Sequence, residues 1–194
     1  LEDYLLSGKL EPTNEGYALA KIMGLKLCEY LNRQFKTDYL ALMPPNIYGP
    51  GDNFKTDSSH VVPALIRKFV EAKRDNLSSV ELWGTGSARR EFIYVDEVID
   101  ASLYFMNKFD VKDLPSFVNI GIGSDVSIKE LAQIIVNETG YNGKIIWNTN
   151  MPDGMPQKLL DSGLAKKFGW ASKISLPVGI KRTVSWYKNE FFSE

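Results

Sequence analysis

The sequence is poor in the residues that make cross-links. Its single cysteine, Cys28, leaves no intrachain disulfide framework and no multi-cysteine metal site. With His60 the only histidine, a zinc site of mixed His and Cys ligands is not expected either, and no metal is assigned. An excess of one charge is also missing. Lys and Arg number 23 against 24 Asp and Glu, a net charge of −1, which argues against nucleic acid or a polybasic membrane contact as partner. No uncharged apolar run approaches the ~18–20 residues of a bilayer span. Leu1-Glu-Asp-Tyr4 carries no secretory-signal pattern. A soluble, cytoplasmic protein is the expectation. The first residue is Leu, not Met, in a stretch to Gly16 that reads as loop, so we expect the chain to begin inside a larger gene product.

What is present is ordinary globular composition. Of 194 residues 44% are apolar, enough for a sizeable core in one domain or two small lobes. There is no internal repeat. Helical and strand patterns alternate, which predicts α/β architecture. Residues 17–35 form a helix whose apolar side chains, among them Ala18, Ile22, Met23, Leu25, Leu27, Cys28 and Leu31, cover most of its circumference. Such a helix is expected to be buried on more than one side, for example in a subunit interface. Asp38–Met43 reads as a buried strand ended by Pro44-Pro45, and Asn46–Asn53 as a turn-rich loop at its C-terminal end, where open α/β sheets bind ligands. Helices are expected at 61–73 and 96–107 and strands at 80–83, 91–94, 117–120 and 144–147. Gly84–Arg90 is expected to be a flexible basic loop, and Met151–Pro156 a loop. Ser127-Ile-Lys-Glu130 fits a capping box opening a helix. Asp161 is expected to cap a short helix ending near Gly169, and the last helix to run over 177–192.

Three places could carry chemistry. Tyr17 and Lys21 are four apart, hence on one face of a helix and about 6 Å apart along its axis. An ammonium beside a phenol favours the phenolate, and so makes the phenol a usable proton donor to a carbonyl oxygen when hydride reaches the carbon. The pair by itself is common on amphipathic helices. His60 has the proton affinity for acid–base work near neutral pH, although a lone loop histidine is more often merely solvated. Arg89-Arg90 could grip phosphates with their planar forks, or be a solvated pair.

Taken together, Tyr17-Ala-Leu-Ala-Lys21, the strand behind it and Pro44-Pro-Asn-Ile-Tyr-Gly-Pro50 resemble the extended short-chain dehydrogenase/reductase family, whose members act on nucleotide sugars. Asn46-Ile-Tyr-Gly-Pro-Gly-Asp-Asn-Phe54, Ser59-His-Val-Val-Pro-Ala-Leu65, Trp83-Gly-Thr-Gly86, Arg89-Arg-Glu-Phe92, Asn119-Ile-Gly-Ile-Gly123, Ser127-Ile-Lys-Glu-Leu131 and Pro152-Asp-Gly-Met-Pro-Gln-Lys-Leu-Leu-Asp161 place the resemblance in the branch that epimerises and reduces GDP-linked 4-keto sugars. The resemblance covers essentially the whole chain. It implies NADP(H) as cofactor, GDP-4-keto-6-deoxy-D-mannose as substrate, and a homodimer through helix 17–35. It implies Tyr17, Lys21 and His60 as catalytic groups. It places Tyr17, Lys21, Pro44, Pro45, Asn46, Ile47 and His60 at the cofactor, and Lys68, Trp83, Arg90 and Asp153 at the substrate. Lys68 stands where family members often have Arg.

The family's opening βαβ unit with its G-x-x-G-x-x-G loop is missing. Neither Gly84-Thr-Gly86 nor Gly121-Ile-Gly123 has the third glycine a pyrophosphate loop needs. The expected architecture is therefore the C-terminal part of a Rossmann-type parallel sheet, residues 1–55 and 91–121, plus a smaller α/β substrate domain, residues 56–90 and 122–194. The family's catalytic Ser and its epimerisation Cys are expected upstream. Cys28 is not that Cys, since it sits about 16 Å along the helix from Tyr17. Two other readings stay open from the residues: another nucleotide-sugar 4-epimerase or 4,6-dehydratase, and a redox-silent nucleotide-sugar binding module.

Overall fold

The computed structural model describes residues 2–192; Leu1 and the last two residues lie outside it. Nine short strands alternate with six helices in the described chain. Two 3-10 turns, Glu2–Tyr4 and Pro12–Asn14, occupy the leading stretch expected to be loop and lead into α1, Glu15–Phe35.

Strands β1 (Ala41–Met43) and β6 (Phe117–Asn119) pair in parallel, with Ala41 opposite Phe117. Strands β2 (Asn46–Tyr48) and β5 (Phe92–Tyr94) do the same, with Asn46 opposite Phe92. Parallel neighbours need crossovers, and the helices supply them. Helices α2 (Val61–Arg74) and α3 (Val95–Lys108) precede β3 (Ser79–Trp83) and β6, and α4 (Ile128–Thr139) leads into β8 (Lys144–Asn148). Strand β8 then lies parallel to β3, Ser79 opposite Lys144. Strand β4 (Arg89–Arg90) is the centre of a three-stranded ribbon, antiparallel to β7 (Val126–Ser127) and parallel to β9 (Gln157–Lys158). Helices α5 (Gly163–Lys167) and α6 (Leu176–Phe192) complete the chain.

The core has two apolar clusters, and β5 stands between them. Alternate side chains of a strand point to opposite faces. Phe92 and Tyr94 therefore enter the larger cluster with Ile66, Phe69, Leu131, Ile135 and Ile180, while Ile93 enters the smaller one with Phe105, Val118, Ile120 and Trp170. The amphipathic stripes of α2, α4 and α6 pack on one another to close the larger cluster. Helix α4 begins on the expected capping box: Ser127 Oγ accepts from Glu130 N–H at 3.1 Å, and Glu130 Oε2 accepts from Ser127 N–H at 2.7 Å.

Several expectations need correction. Helix α1 buries only Leu25; Leu19, Met23, Leu27, Tyr30 and Phe35 are exposed and Cys28 is half-buried. Its C-terminal end is tied to the rest of the described chain by hydrogen bonds. Asn32 donates to Tyr39 O at 2.7 Å and accepts from Tyr39 N–H at 2.9 Å, locking the helix end to the approach of β1. Asn46–Tyr48 is a strand, not loop, because Phe92–Tyr94 offers its backbone a ladder that outweighs local turn composition. Arg89-Arg90 is strand, not flexible loop, for the same reason. Asp161 precedes the N-cap, Ser162, and accepts from Gly163 N–H at 2.7 Å instead of occupying the cap itself.

Buried Glu91 knots three segments together. Oε1 accepts from Gly123 N–H at 2.7 Å and Oε2 from Leu160 N–H at 3.0 Å, while its carbonyl accepts from Asn46 Nδ2 at 2.7 Å. A Cβ at Gly121 would collide with the same carboxylate, which is why that position is glycine.

Candidate active site

Tyr17 and Lys21 project from the first two turns of α1. The ammonium lies 5.4 Å from the centre of the Tyr17 ring, a cation–π contact, and Tyr17 is 63% exposed. The phenol is thus free to meet a ligand while its neighbour supplies positive charge. Pro44 and Pro45 follow the C-terminal end of β1, and Asn46 and Ile47 open β2. Asn46 is held to Glu91, and Ile47 is 40% exposed.

His60 stands at the N-terminus of α2 in extended backbone, with its side chain 82% exposed. Its Nδ1 lies 3.8 Å from Asp52 Oδ1. Among the described residues no hydrogen bond or ion pair joins His60 to the Tyr17–Lys21 pair.

The expected substrate residues fall into two groups. Trp83, 64% exposed at the end of β3, adjoins the Gly84-Thr85 turn that Asp153 caps: its carboxylate accepts from Thr85 N–H and Thr85 Oγ1, each at 2.7 Å. Those hydrogen bonds hold the Asp153 carboxyl below its ordinary pKa. Lys68 reaches the same strand and donates to Glu81 O at 3.1 Å. Arg90 is separate. Its Nη1 donates to Arg89 O at 2.7 Å, and burial draws its pKa down from the arginine norm. It lines a cavity of about 400 Å³ with Phe92, Ser124, Lys173, Leu176 and Pro177. Arg89 is spent elsewhere, paired with Asp125 at 2.8 Å. Sequence reasoning missed Asp52, Lys173 and Ser124. Asp52 had a signal only in its Gly51-Asp-Asn53 turn, and the other two had none.

The Gly84–Gly86 and Gly121–Gly123 pairs are not phosphate cradles. A Cβ at Gly84 would meet the Asp153 carboxylate, at Gly86 the Trp147 ring, and at Gly121 the Glu91 carboxylate. Two of those neighbours are anionic and would repel a pyrophosphate. The described residues suit the other end of a dinucleotide. Lys21 carries an ammonium and Tyr17 an exposed hydroxyl, groups that could hold a ribose, and Ile47 adds exposed apolar surface at the opening of β2.

The parallel strand pairs with their crossover helices define an α/β fold of Rossmann type. The chain belongs to the NAD dependent epimerase/dehydratase family, whose profile matches residues 1–121. Over 99% of its length it is 46% identical to a probable GDP-L-fucose synthase 1 of Oryza sativa subsp. japonica, of which it covers 58%. It is 45% identical to the GDP-L-fucose synthase of Escherichia coli K12 over 96% of this chain and 60% of that one. The chain therefore spans less than two thirds of these relatives. Its structure is similar to a GDP-6-OMe-4-keto-L-xylo-heptose reductase of C. jejuni (TM-score 0.91, 37% identity, 98% of this chain, 65% of that one). A GDP-mannoheptose C4 reductase of Campylobacter jejuni with NADP bound gives TM-score 0.85 and 36% identity over 97% of this chain and 64% of that one.

Proposed function

We propose that the protein is an NADPH-dependent epimerase/reductase that converts GDP-4-keto-6-deoxy-D-mannose to GDP-L-fucose, and that this chain supplies Tyr17, Lys21 and His60 to the reaction. The observation that carries the reading is the exposed Tyr17–Lys21 pair at the start of α1. The Escherichia coli relative named GDP-L-fucose synthase and the neighbour named a GDP-mannoheptose C4 reductase support it.

The C4 ketone acidifies the protons at C3 and C5, because the carbanion left behind is an enolate. His60 Nε2 takes or returns such a proton. Once both centres are inverted, Tyr17 delivers its phenolic proton to the C4 oxygen. Bound NADPH supplies the hydride to C4. Lys21 holds the ribose and keeps positive charge beside the phenol, and Pro44, Pro45, Asn46 and Ile47 line the nicotinamide side. The GDP moiety, two phosphates and a flat base, suits the Arg90 guanidinium, the exposed Trp83 ring and Asp153 as a base or ribose acceptor, with Lys68 adding a point charge.

Residues 1–55 and 91–121 form the cofactor side in this reading and 56–90 with 122–194 the sugar-nucleotide side. The two core clusters cross that division: Tyr48, Phe54, Phe92 and Tyr94 of the cofactor side enter the larger cluster, and Ala165 and Trp170 of the sugar-nucleotide side enter the smaller one. A cytoplasmic location belongs to the same proposal.

The test is deuterium uptake. In D2O the complete enzyme with the 4-keto substrate and no NADPH should label C3 and C5. His60→Gln should lower labelling by about 10²–10⁴-fold. Undiminished labelling would reject the role of His60 and favour another nucleotide-sugar epimerase or dehydratase; binding of the GDP-sugar without turnover would favour a redox-silent module.

A homodimer through α1 belongs to the same proposal. Leu19, Met23 and Leu27 recur at four-residue spacing and are all exposed, an apolar stripe of the kind that seeks a partner helix. Met23→Glu should move the complete enzyme from dimer to monomer mass in light scattering. Unchanged mass would remove α1 from the interface.

A further inference from the structure

The loop between β2 and α2 brings Asp52 to His60 across eight residues, and it is held at both ends. Asn53 closes it by donating to Ser58 O at 3.0 Å and Ser58 Oγ at 2.9 Å. Phe54 anchors it, buried and stacked on Tyr187 with ring centres 4.6 Å apart. Asp52 is fixed in turn: its N–H donates to Gly49 O at 3.3 Å and its Oδ1 accepts from Asn53 N–H at 2.7 Å. The result is an asymmetric pair, an imidazole 82% exposed over a carboxylate only 17% exposed, with Nδ1 and Oδ1 3.8 Å apart. Asp52 Oδ2 is buried and has no hydrogen-bond partner among the described residues. The oxygen that faces the imidazole is the other one, Oδ1.

We propose that Asp52 is the positioning residue for His60, accepting its Nδ1–H so that Nε2 is the nitrogen presented to the sugar. This rests on the acid–base reading of His60 given above. A free neutral histidine side chain prefers its proton on Nε2, which would leave the wrong nitrogen to act as base. The nitrogen that carries the proton is set by the hydrogen bond made at the other one. An ionised acceptor below Nδ1 reverses the preference, and it steadies the imidazolium formed when Nε2 takes the substrate's proton. At 3.8 Å the contact is longer than a hydrogen bond, and rotation of the exposed imidazole about its side-chain bonds brings Nδ1 within reach of Oδ1.

The experiment is nitrogen NMR on the complete protein with 15N-labelled histidine, at a pH where His60 is neutral. The His60 signals are identified by their loss in His60→Gln. The wild type should show mainly the Nδ1–H form. Asp52→Asn keeps an acceptor for Asn53 N–H, and should shift the population toward Nε2–H. It should also cut deuterium uptake at C3 and C5 by about tenfold to a hundredfold with little change in KM, because only the oriented, charged state of the base is affected. A predominantly Nε2–H wild type, or an unchanged tautomer ratio in Asp52→Asn, overturns the proposal, even if the variant is slow. Should Asp52→Asn fail to fold, the wild-type tautomer alone decides. Normal labelling in His60→Gln would instead overturn the acid–base reading itself, and with it the task assigned to Asp52.

Discussion

Replacing Tyr17 by Phe is expected to abolish reduction of the 4-keto sugar by NADPH while leaving proton exchange at C3 and C5 intact. The change removes one oxygen from a side chain that is 63% exposed near the start of α1, so it disturbs neither core cluster. The loss is therefore chemical. Without the phenol, the C4 alkoxide formed as hydride arrives has no positioned proton donor, and a donor of that kind is worth about 10²–10⁴ in rate. The measurement is NADPH absorbance in the complete enzyme beside mass-spectrometric deuterium uptake. Lys21→Met should follow the same pattern with an added rise in the KM for NADPH, because the ammonium serves both the phenol and the ribose. Reduction at the wild-type rate in Tyr17→Phe would remove the pair from catalysis.

Glu91→Ala is expected to cause the largest loss of stability among single polar substitutions. The carboxylate is wholly buried and holds the amides of Gly123 and Leu160 at 2.7 and 3.0 Å. Truncation strands both amides away from water, at about 1–3 kcal/mol each. Urea unfolding of the complete enzyme should show the deficit as a lower midpoint. Gly121→Ala should destabilise too, since its Cβ would strike the Glu91 carboxylate. The two losses should not add in the double variant, because removing the carboxylate frees the space that the methyl group needs. Full additivity would show that the two residues act apart. Asn46 adds a functional reading, because its amide rests on the Glu91 carbonyl. A slack Glu91 loosens the segment proposed to line the nicotinamide.

The elements that were legible in the sequence are those whose stability is local. Ser127 and Glu130 announce α4 because both halves of the cap lie within four residues. Helix α2 is announced by its apolar stripe, and its observed bounds, Val61–Arg74, differ from the expected ones by a single residue. The α/β class follows from the alternation itself. Short strands were the weak point. Asn46–Tyr48 and Arg89–Arg90 look like loop because their partners lie 46 and 37 positions away, at Phe92–Tyr94 and at Val126–Ser127. A ladder of that reach leaves no trace in the composition of either partner. Helix α1 is a different case. Its apolar residues read as a surface covered on more than one side, for example in a subunit interface, and within the chain's own described residues only Leu25 is buried, because burial depends on what stands opposite.

The site divides along the same line. The sequence by itself set Tyr17 and Lys21 on one face of a helix, because helical geometry makes residues four apart neighbours wherever that helix packs. It also named His60 as the one imidazole available. Only the tertiary structure decided that Asp52 lies under that imidazole, that Arg90 opens on a cavity while Arg89 is tied to Asp125, and that Glu91 joins three segments. Each of these depends on the chain returning to a point it left many residues earlier. The return is driven by burial of the two apolar clusters, a non-directional force summed over the whole fold, which no short stretch of sequence encodes.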